Sequence, residues 1–271
     1  MRLKLILSTD INTSIPVNYN YALSSAIYKL LQFSSPEFAE FLHGKGFKTN
    51  QRTYKLFTFS LRPEKSLIFG RDIILKSPFV NLFITTPLVE DFVKSILSGT
   101  AEQKIVELFA DYTKVEFCIR NIEVMQEPNF GARAKFIMLN PLVLSTRVVR
   151  NGRKQQYYLR YDEDPANINR ILNINLANKY ELMTGREYNG PGVALSWDQD
   201  YIRRMLENGK KMSKKITITK DPKNPIDIIG IQCPFVLEGD PELIKTGYRC
   251  GFGEKNSMGF GMAEVVNTPS L

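Results

Sequence analysis

Between residues 251 and 261 the chain reads Gly-Phe-Gly-Glu-Lys-Asn-Ser-Met-Gly-Phe-Gly, two Gly-Phe-Gly triplets around a five-residue insert that carries Lys255. Glycine takes positive φ at no steric cost. Gly251, Gly253, Gly259 and Gly261 therefore let the backbone turn at both ends, with one cation and several N–H groups projecting between the turns. Such a turn allows a phosphate to approach the main chain closely. A tight loop between a helix and a last strand is the plainer reading of the same residues. A dinucleotide fingerprint does not fit, because Gly251-x-Gly253-x-x ends on Asn256 and no helical pattern follows.

The rest of the chain alternates strand and helix patterns. Leu3, Leu5 and Leu7 share one side of a period-2 run with Arg2 and Lys4 on the other, which predicts a first strand with a partly basic far face. Over 20–33, Leu23, Ala26, Ile27, Leu30 and Leu31 form one apolar stripe of 3.6-residue period. Tyr28 lies roughly 130° from the centre of that stripe and faces away from the core. A shorter helix over 36–43 turns Phe38, Phe41 and Leu42 inward and His43 off the apolar side. Strands are expected over 55–61, 66–75 and 79–85, then a helix over 88–97 capped by Gly99. A strand over 115–124 follows, bulged at Arg120 and Asn121.

After a linker around 127–131 the order repeats. Strand patterns at 134–143 and 156–160 enclose a basic turn holding Arg147, Arg150, Arg153 and Lys154. Asp164 and Pro165 open a helix that closes at Gly185. Lys210, Lys211, Lys214 and Lys215 lead into a strand at 216–219, and 226–237 is another strand, broken by Pro234. Asp240 and Pro241 open a short helix ending near Gly251, and a last strand spans 260–266. Two successive β-α-β-β-α-β orders predict an α+β chain of two tandem ferredoxin-like domains, over 1–126 and 132–271.

Composition narrows the partners. The 271 residues carry 36 lysines and arginines against 28 acids, a net charge of +8, and such an excess favours a polyanion. Three widely spaced cysteines suggest neither a disulfide framework nor a zinc site, which fits a reducing cytoplasm. No apolar run reaches the ~20 residues of a membrane span. Asp198-x-Asp200 and Asp162-Glu163-Asp164 read as chance spacing and helix entry, so neither a metal nor a cofactor is expected.

His43 is the single histidine, beside Gly44 and Gly46 in a run with Lys45, Lys48, Arg52 and Lys55. Histidine exchanges protons near neutral pH, and the cations around it would hold a phosphate. RNA cleavage without a metal needs a base for the ribose 2′-OH, an acid for the departing 5′-oxygen and a cation for the phosphate. Tyr28, His43 and Lys55 are residue types for those tasks.

The two glycine triplets around a lysine-bearing insert resemble the signature loop of the RAMP superfamily of CRISPR proteins. With Leu243 to Tyr248 before it and Val265 and Val266 after it, the region is similar to the C-terminal end of the sixth Cas family, the endoribonuclease that cuts precursor CRISPR RNA. In the other half, Ile27-Tyr28, Leu42-His43 and Lys55-Leu56-Phe57-Thr58 match the family's tyrosine, histidine and lysine motifs. The resemblance implies metal-independent cutting within the CRISPR repeat, leaving a 2′,3′-cyclic phosphate and a 5′-OH, with Tyr28, His43 and Lys55 catalytic. The segment between His43 and Lys55 looks longer than the family's shorter versions, so Lys45 or Lys48 stands as an alternative to Lys55. His43 as base with Tyr28 or Lys55 assisting the leaving group is as reasonable as the reverse. RNA contacts are expected at the glycine-rich loop, through Lys255 and the amides of the turn shaped by Gly251, Gly253, Gly259 and Gly261, with Arg147 and Arg150 extending the surface. CRISPR effector-complex subunits and a homodimer are further partners considered. A non-catalytic RNA-binding RAMP subunit is the alternative reading, and it would need no such triad.

Overall fold

Leu3, Leu5 and Leu7 lie on one face of strand β1 (Arg2–Ser8) and are each at most 1% exposed. A computed structural model describes residues 1–49, 52–110, 113–150, 152–220 and 223–266, with the backbone alone for Ala110, Thr113 and Arg150. After β1 come a short β2 (Ser14–Pro16), helix α1 (Asn20–Ser34), helix α2 (Pro36–Glu40) and the paired β3 (Phe47–Thr49) and β4 (Arg52–Tyr54). Next are β5 (Thr58–Pro63), β6 (Ser66–Phe69), β7 (Asp72–Leu75), β8 (Phe79–Thr85), α3 (Lys94–Glu102), β9 (Ile105–Ala110) and β10 (Thr113–Met125). The main antiparallel sheet has the order β5-β8-β1-β10-β9. Its first four members, joined through α1 and α3, are the β-α-β-β-α-β arrangement. The strand β9 at the edge escapes the sequence reading.

Several expectations change in detail. Arg2 is 3% exposed rather than part of a basic outer face. Residues 66–75 fold back on themselves as the β6–β7 hairpin, with Gly70 at φ +61° in the turn. The strand expected from Lys55 begins at Thr58. The bulge on β10 is present, since Ile6 faces Asn121 while Leu7 faces Ile119 and Arg120 is left between. Gly99 is not a cap, because α3 runs through it to Glu102. A Cβ at Gly99 would lie 2.2 Å from the Leu30 carbonyl oxygen, so glycine there lets α1 and α3 touch backbone to backbone.

The second half contains β11 (Arg133–Met138), β12 (Ser145–Arg150), β13 (Arg153–Tyr158), α4 (Pro165–Thr184), β14 (Val193–Trp197) and α5 (Gln199–Glu207). It continues with β15 (Ser213–Ile218), β16 (Ile226–Ile231), β17 (Phe235–Gly239), α6 (Pro241–Cys250) and β18 (Ala263–Val265). The sheet order β14-β17-β11-β18 gives the same arrangement again, so the chain is two tandem ferredoxin-like folds. The basic turn is the β12–β13 hairpin, and 226–237 divides into β16 and β17 of different sheets. Asp164 and Asp240 cap α4 and α6 through the N–H groups of Ala166 and Glu242, and Gly185 ends α4 at φ +70°. The compact units are Met1–Glu127 with Ile218–Ile226 and Ser257–Gly259, and Pro128–Thr217 with Asp227–Asn256 and Phe260–Leu271. Among the described residues no helix is long and apolar enough to cross a membrane.

One charge sits inside the second core. Lys179 of α4 is 1% exposed, and its Nζ donates to the carbonyls of Gly251 at 2.6 Å and Gly253 at 2.7 Å. Burial pulls the ammonium down to about 7, against a smaller upward pull from Cys250 and Glu254. Between about pH 7 and the ordinary lysine value near ~10.4, the unfolded chain holds a proton that the folded chain has released. Stability therefore rises with pH across that window. Relative to Lys179→Met, which titrates nothing, the native chain is expected to gain up to roughly 1.4 kcal/mol per pH unit above neutrality in urea unfolding. Parallel stability curves for the two proteins between pH 7 and 9 would show that burial does not lower the Lys179 ammonium.

Candidate active site

Helix α1 is two-faced. Leu23, Ala26, Ile27, Leu30 and Leu31 are buried in the first core, as their spacing requires. Asn20, Ser24 and Tyr28 recur every four residues and line one edge. Asn20 Nδ2 donates to Met258 O at 2.9 Å and to Gly259 O at 3.3 Å, and Ser24 Oγ donates to Ser257 O at 2.8 Å. The Tyr28 hydroxyl shares a hydrogen bond with the Ser257 side chain. Residues 257–259 thus cover the edge that periodicity alone leaves to solvent. Tyr28 is half-buried rather than turned fully away from the core, and its ring packs edge-on to Phe57 with centroids 5.7 Å apart. Burial pushes its phenol well above the ordinary tyrosine range, so it stays protonated.

His43 reaches Tyr28 through a local distortion. The expected helix over 36–43 stops as α-helix at Glu40, and Phe41–Lys45 form a widened π turn closed by the Gly46 N–H on Phe41 O at 2.7 Å. Such turns insert a residue and recur at functional sites. Leu42 stays buried and His43 is exposed, as the sequence predicts. The His43 and Tyr28 rings meet edge to face, with centroids 5.1 Å apart and planes at 87°.

Lys55 returns to the same place by a chain reversal. The β3–β4 hairpin pairs Phe47 with Tyr54, and the next residue, Lys55, donates from Nζ to His43 O at 2.8 Å. Lys45 and Lys48 are exposed, whereas Lys55 is half-buried, and burial holds its ammonium below the ordinary lysine value. Gly46, at φ +59°, makes room for it: a Cβ there would lie 2.8 Å from Tyr54 O and 3.0 Å from Lys55 Nζ. Leu56 follows at φ +52°, rare for a bulky residue. Its buried side chain and the Thr86 Oγ bond to its carbonyl at 2.9 Å hold that conformation.

The glycine-rich loop is braced both from within and by neighbouring chain. Its four glycines are buried at φ between +70° and +84°. The N–H groups of Phe252, Glu254 and Gly261 donate to the carbonyls of Gly261, Val143 and Pro141. Those three amides are committed within the protein. Asn256 Nδ2 donates to Phe252 O at 3.2 Å and Phe260 O at 3.0 Å, clasping the two triplets together. Lys255, exposed and at φ +59°, projects outward.

Arg147 and Arg153 lie on the β12–β13 hairpin, where Arg153 is exposed; the side chain of Arg150 is outside the described residues. The acidic pairs have structural work. Asp198 caps α5 through the Tyr201 N–H at 2.9 Å and pairs with Lys135 at 2.8 Å. No group of three or more His, Cys, Asp or Glu gathers among the described residues. Sequence reasoning missed Asn20, Ser24 and Ser257, although the four-residue spacing of Asn20, Ser24 and Tyr28 marks a polar edge that needs partners.

Comparisons with known proteins place this geometry. Residues 14–123 match the family described as CRISPR-associated protein Cas6, N-terminal, and residues 125–265 the family described as CRISPR associated protein Cas6, C-terminal. The chain is 34% identical to CRISPR-associated endoribonuclease Cas6 1 of Methanocaldococcus jannaschii, over 98% of this chain and 92% of that protein. It is 25% identical to CRISPR-associated endoribonuclease Cas6 of Pyrococcus furiosus, over 93% and 83%. A solved structure titled CRISPR associated protein Cas6 superposes with a TM-score of 0.75 at 29% identity, covering 98% of this chain and 99% of that one. With both halves of the family pattern matched in order and a third of its residues shared along nearly all of its length with one relative, the chain belongs to the Cas6 family.

Proposed function

We propose that the chain is an endoribonuclease that cuts precursor CRISPR RNA within its repeat, without a metal. The observation that carries this reading is the convergence of Tyr28, His43 and Lys55 from three separate elements. Relatives named as CRISPR-associated endoribonucleases support the substrate and reaction class.

In the reaction, the ribose 2′-oxygen bonds to phosphorus as the bond from phosphorus to the 5′-oxygen breaks, leaving a 2′,3′-cyclic phosphate and a 5′-OH. His43 is exposed beside Tyr28, and histidine suits proton uptake near neutrality, so it takes the 2′-OH proton. Lys55, whose ammonium gives up its proton more readily than an ordinary lysine, offsets the charge growing on the phosphate and protonates the leaving oxygen. Tyr28, kept neutral by burial, holds the imidazole through its ring contact. Tyrosine as the base is the weaker assignment, since burial opposes formation of its anion.

In this reading the first unit carries the catalytic residues, and the second presents RNA-binding residues on the β12–β13 hairpin, Arg147 and Arg150, and at Lys255. Gly251, Gly253, Gly259 and Gly261 shape the loop that brings Lys255 and the loop's backbone to the RNA. CRISPR effector-complex subunits, a second copy of the chain and a cytoplasmic setting go with it. The non-catalytic RAMP subunit remains the second reading, and the juxtaposed triad favours the enzyme.

His43→Ala should lower single-turnover cleavage of repeat RNA by ~10²–10⁴ while RNA affinity stays within a few-fold. Cleavage by the native protein should persist in excess EDTA. Equal cleavage by the variant removes His43 from the mechanism, and loss on chelation with recovery on magnesium removes metal independence.

Lys255→Ala keeps the Cβ and therefore the backbone cost at φ +59°. Loss of one phosphate contact should reduce the log–log salt slope of RNA binding by roughly 0.7–0.9. An unchanged slope would withdraw Lys255 as an RNA contact.

A further inference from the structure

We propose that Ser257, carried by the insert of the glycine-rich loop, is a positioning residue for cleavage: its side chain fixes the Tyr28 phenol against His43, so that the loop acts on the chemical step. This rests on the endoribonuclease reading given above and on the place of Tyr28 in it.

Three consecutive residues of the loop, Ser257 to Gly259, meet three side chains spaced four apart on α1. Asn20 and Ser24, which hold the loop's carbonyls, are 2% and 4% exposed, so water does not compete for these bonds. The loop also has no room to slide. A Cβ at Gly259 would lie 2.6 Å from the Phe59 ring and 3.0 Å from Asn20 Nδ2, so this glycine, at φ +75°, is a docking point on the first core.

The consequence falls on Tyr28. Its ring is fixed edge-on to Phe57 and to His43, and the position of its hydroxyl end depends on what that hydroxyl bonds. Ser257 is the partner found there. Removing it releases the phenol's outer end while Asn20 and Ser24 keep the loop docked. A catalytic constellation loses rate steeply when one member drifts, about a hundredfold for a 1 Å error. The five-residue insert then has two separate outputs: Lys255 projects outward for binding, and Ser257 points inward at the tyrosine. Gly259→Val strikes Phe59 and Asn20 and so cannot report on RNA contact alone.

The test is a double-mutant cycle on single-turnover cleavage of repeat RNA at saturating protein, with RNA affinity and melting temperature measured alongside. Ser257→Ala should slow cleavage by about tenfold and leave RNA affinity within about twofold. In a Tyr28→Phe background, which already lacks the hydroxyl, Ser257→Ala should change the rate by less than about twofold. An unchanged rate in the native background overturns the proposal. So does an equal slowing in both backgrounds, which is how a general loosening of the loop would behave. Native protein in the same series tests the endoribonuclease reading by itself. If it cuts and Ser257→Ala cuts as fast, only this inference fails; if it leaves the repeat intact, both fail.

Discussion

Helix α1 must satisfy two neighbours at once, and most of the first unit follows from that. Its apolar stripe packs on the five-stranded sheet, and its backbone at Leu30 touches α3 so closely that only glycine fits at residue 99. Its polar edge, Asn20 to Tyr28, accepts a piece of chain more than two hundred residues later in sequence. A helix held on two sides neither rolls nor slides. Burying one large apolar side chain contributes about 1.5–3 kcal/mol, so the stripe sets the helix's depth. The shielded hydrogen bonds at the edge contribute less energy but fix its rotation, and rotation decides where Tyr28 points.

The glycine-rich loop shows the same division between energy and direction. Turning the backbone twice in a short run brings several carbonyls together on the inside, where each needs a donor. Lys179 answers two of them and Asn256 answers two more. Burying an ammonium is costly unless it is well bonded, and a leucine in its place would leave two carbonyls bare. The donors close the loop's interior, and its insert turns Lys255 outward and Ser257 toward α1.

Much of this was legible in the residues. The α1 stripe, the capping aspartates at 164 and 240, the αL glycine at 185 and the exposed position of His43 follow from period and local chemistry. Where the sequence misled, a distant partner had overridden a local signal. Gly99 reads as a helix end because glycine usually is one, yet its reason is the carbonyl of another helix. Arg2 reads as an outer face because it alternates with leucine, yet it is covered. The polar edge of α1 reads as solvated for the same reason. Short strands such as β3 and β4, with three residues each, carry too few for a period to declare itself.

The β3–β4 hairpin bears on how sequences of such proteins are compared. His43 and Lys55 are twelve positions apart, yet the lysine ends beside the histidine's own carbonyl because the chain goes out and comes back. Residues added at the far end of a hairpin lengthen it without displacing its base. The count of residues between the two is therefore a measure of the hairpin's height, and an aligned gap or insertion there says nothing about the geometry of the pair at its foot.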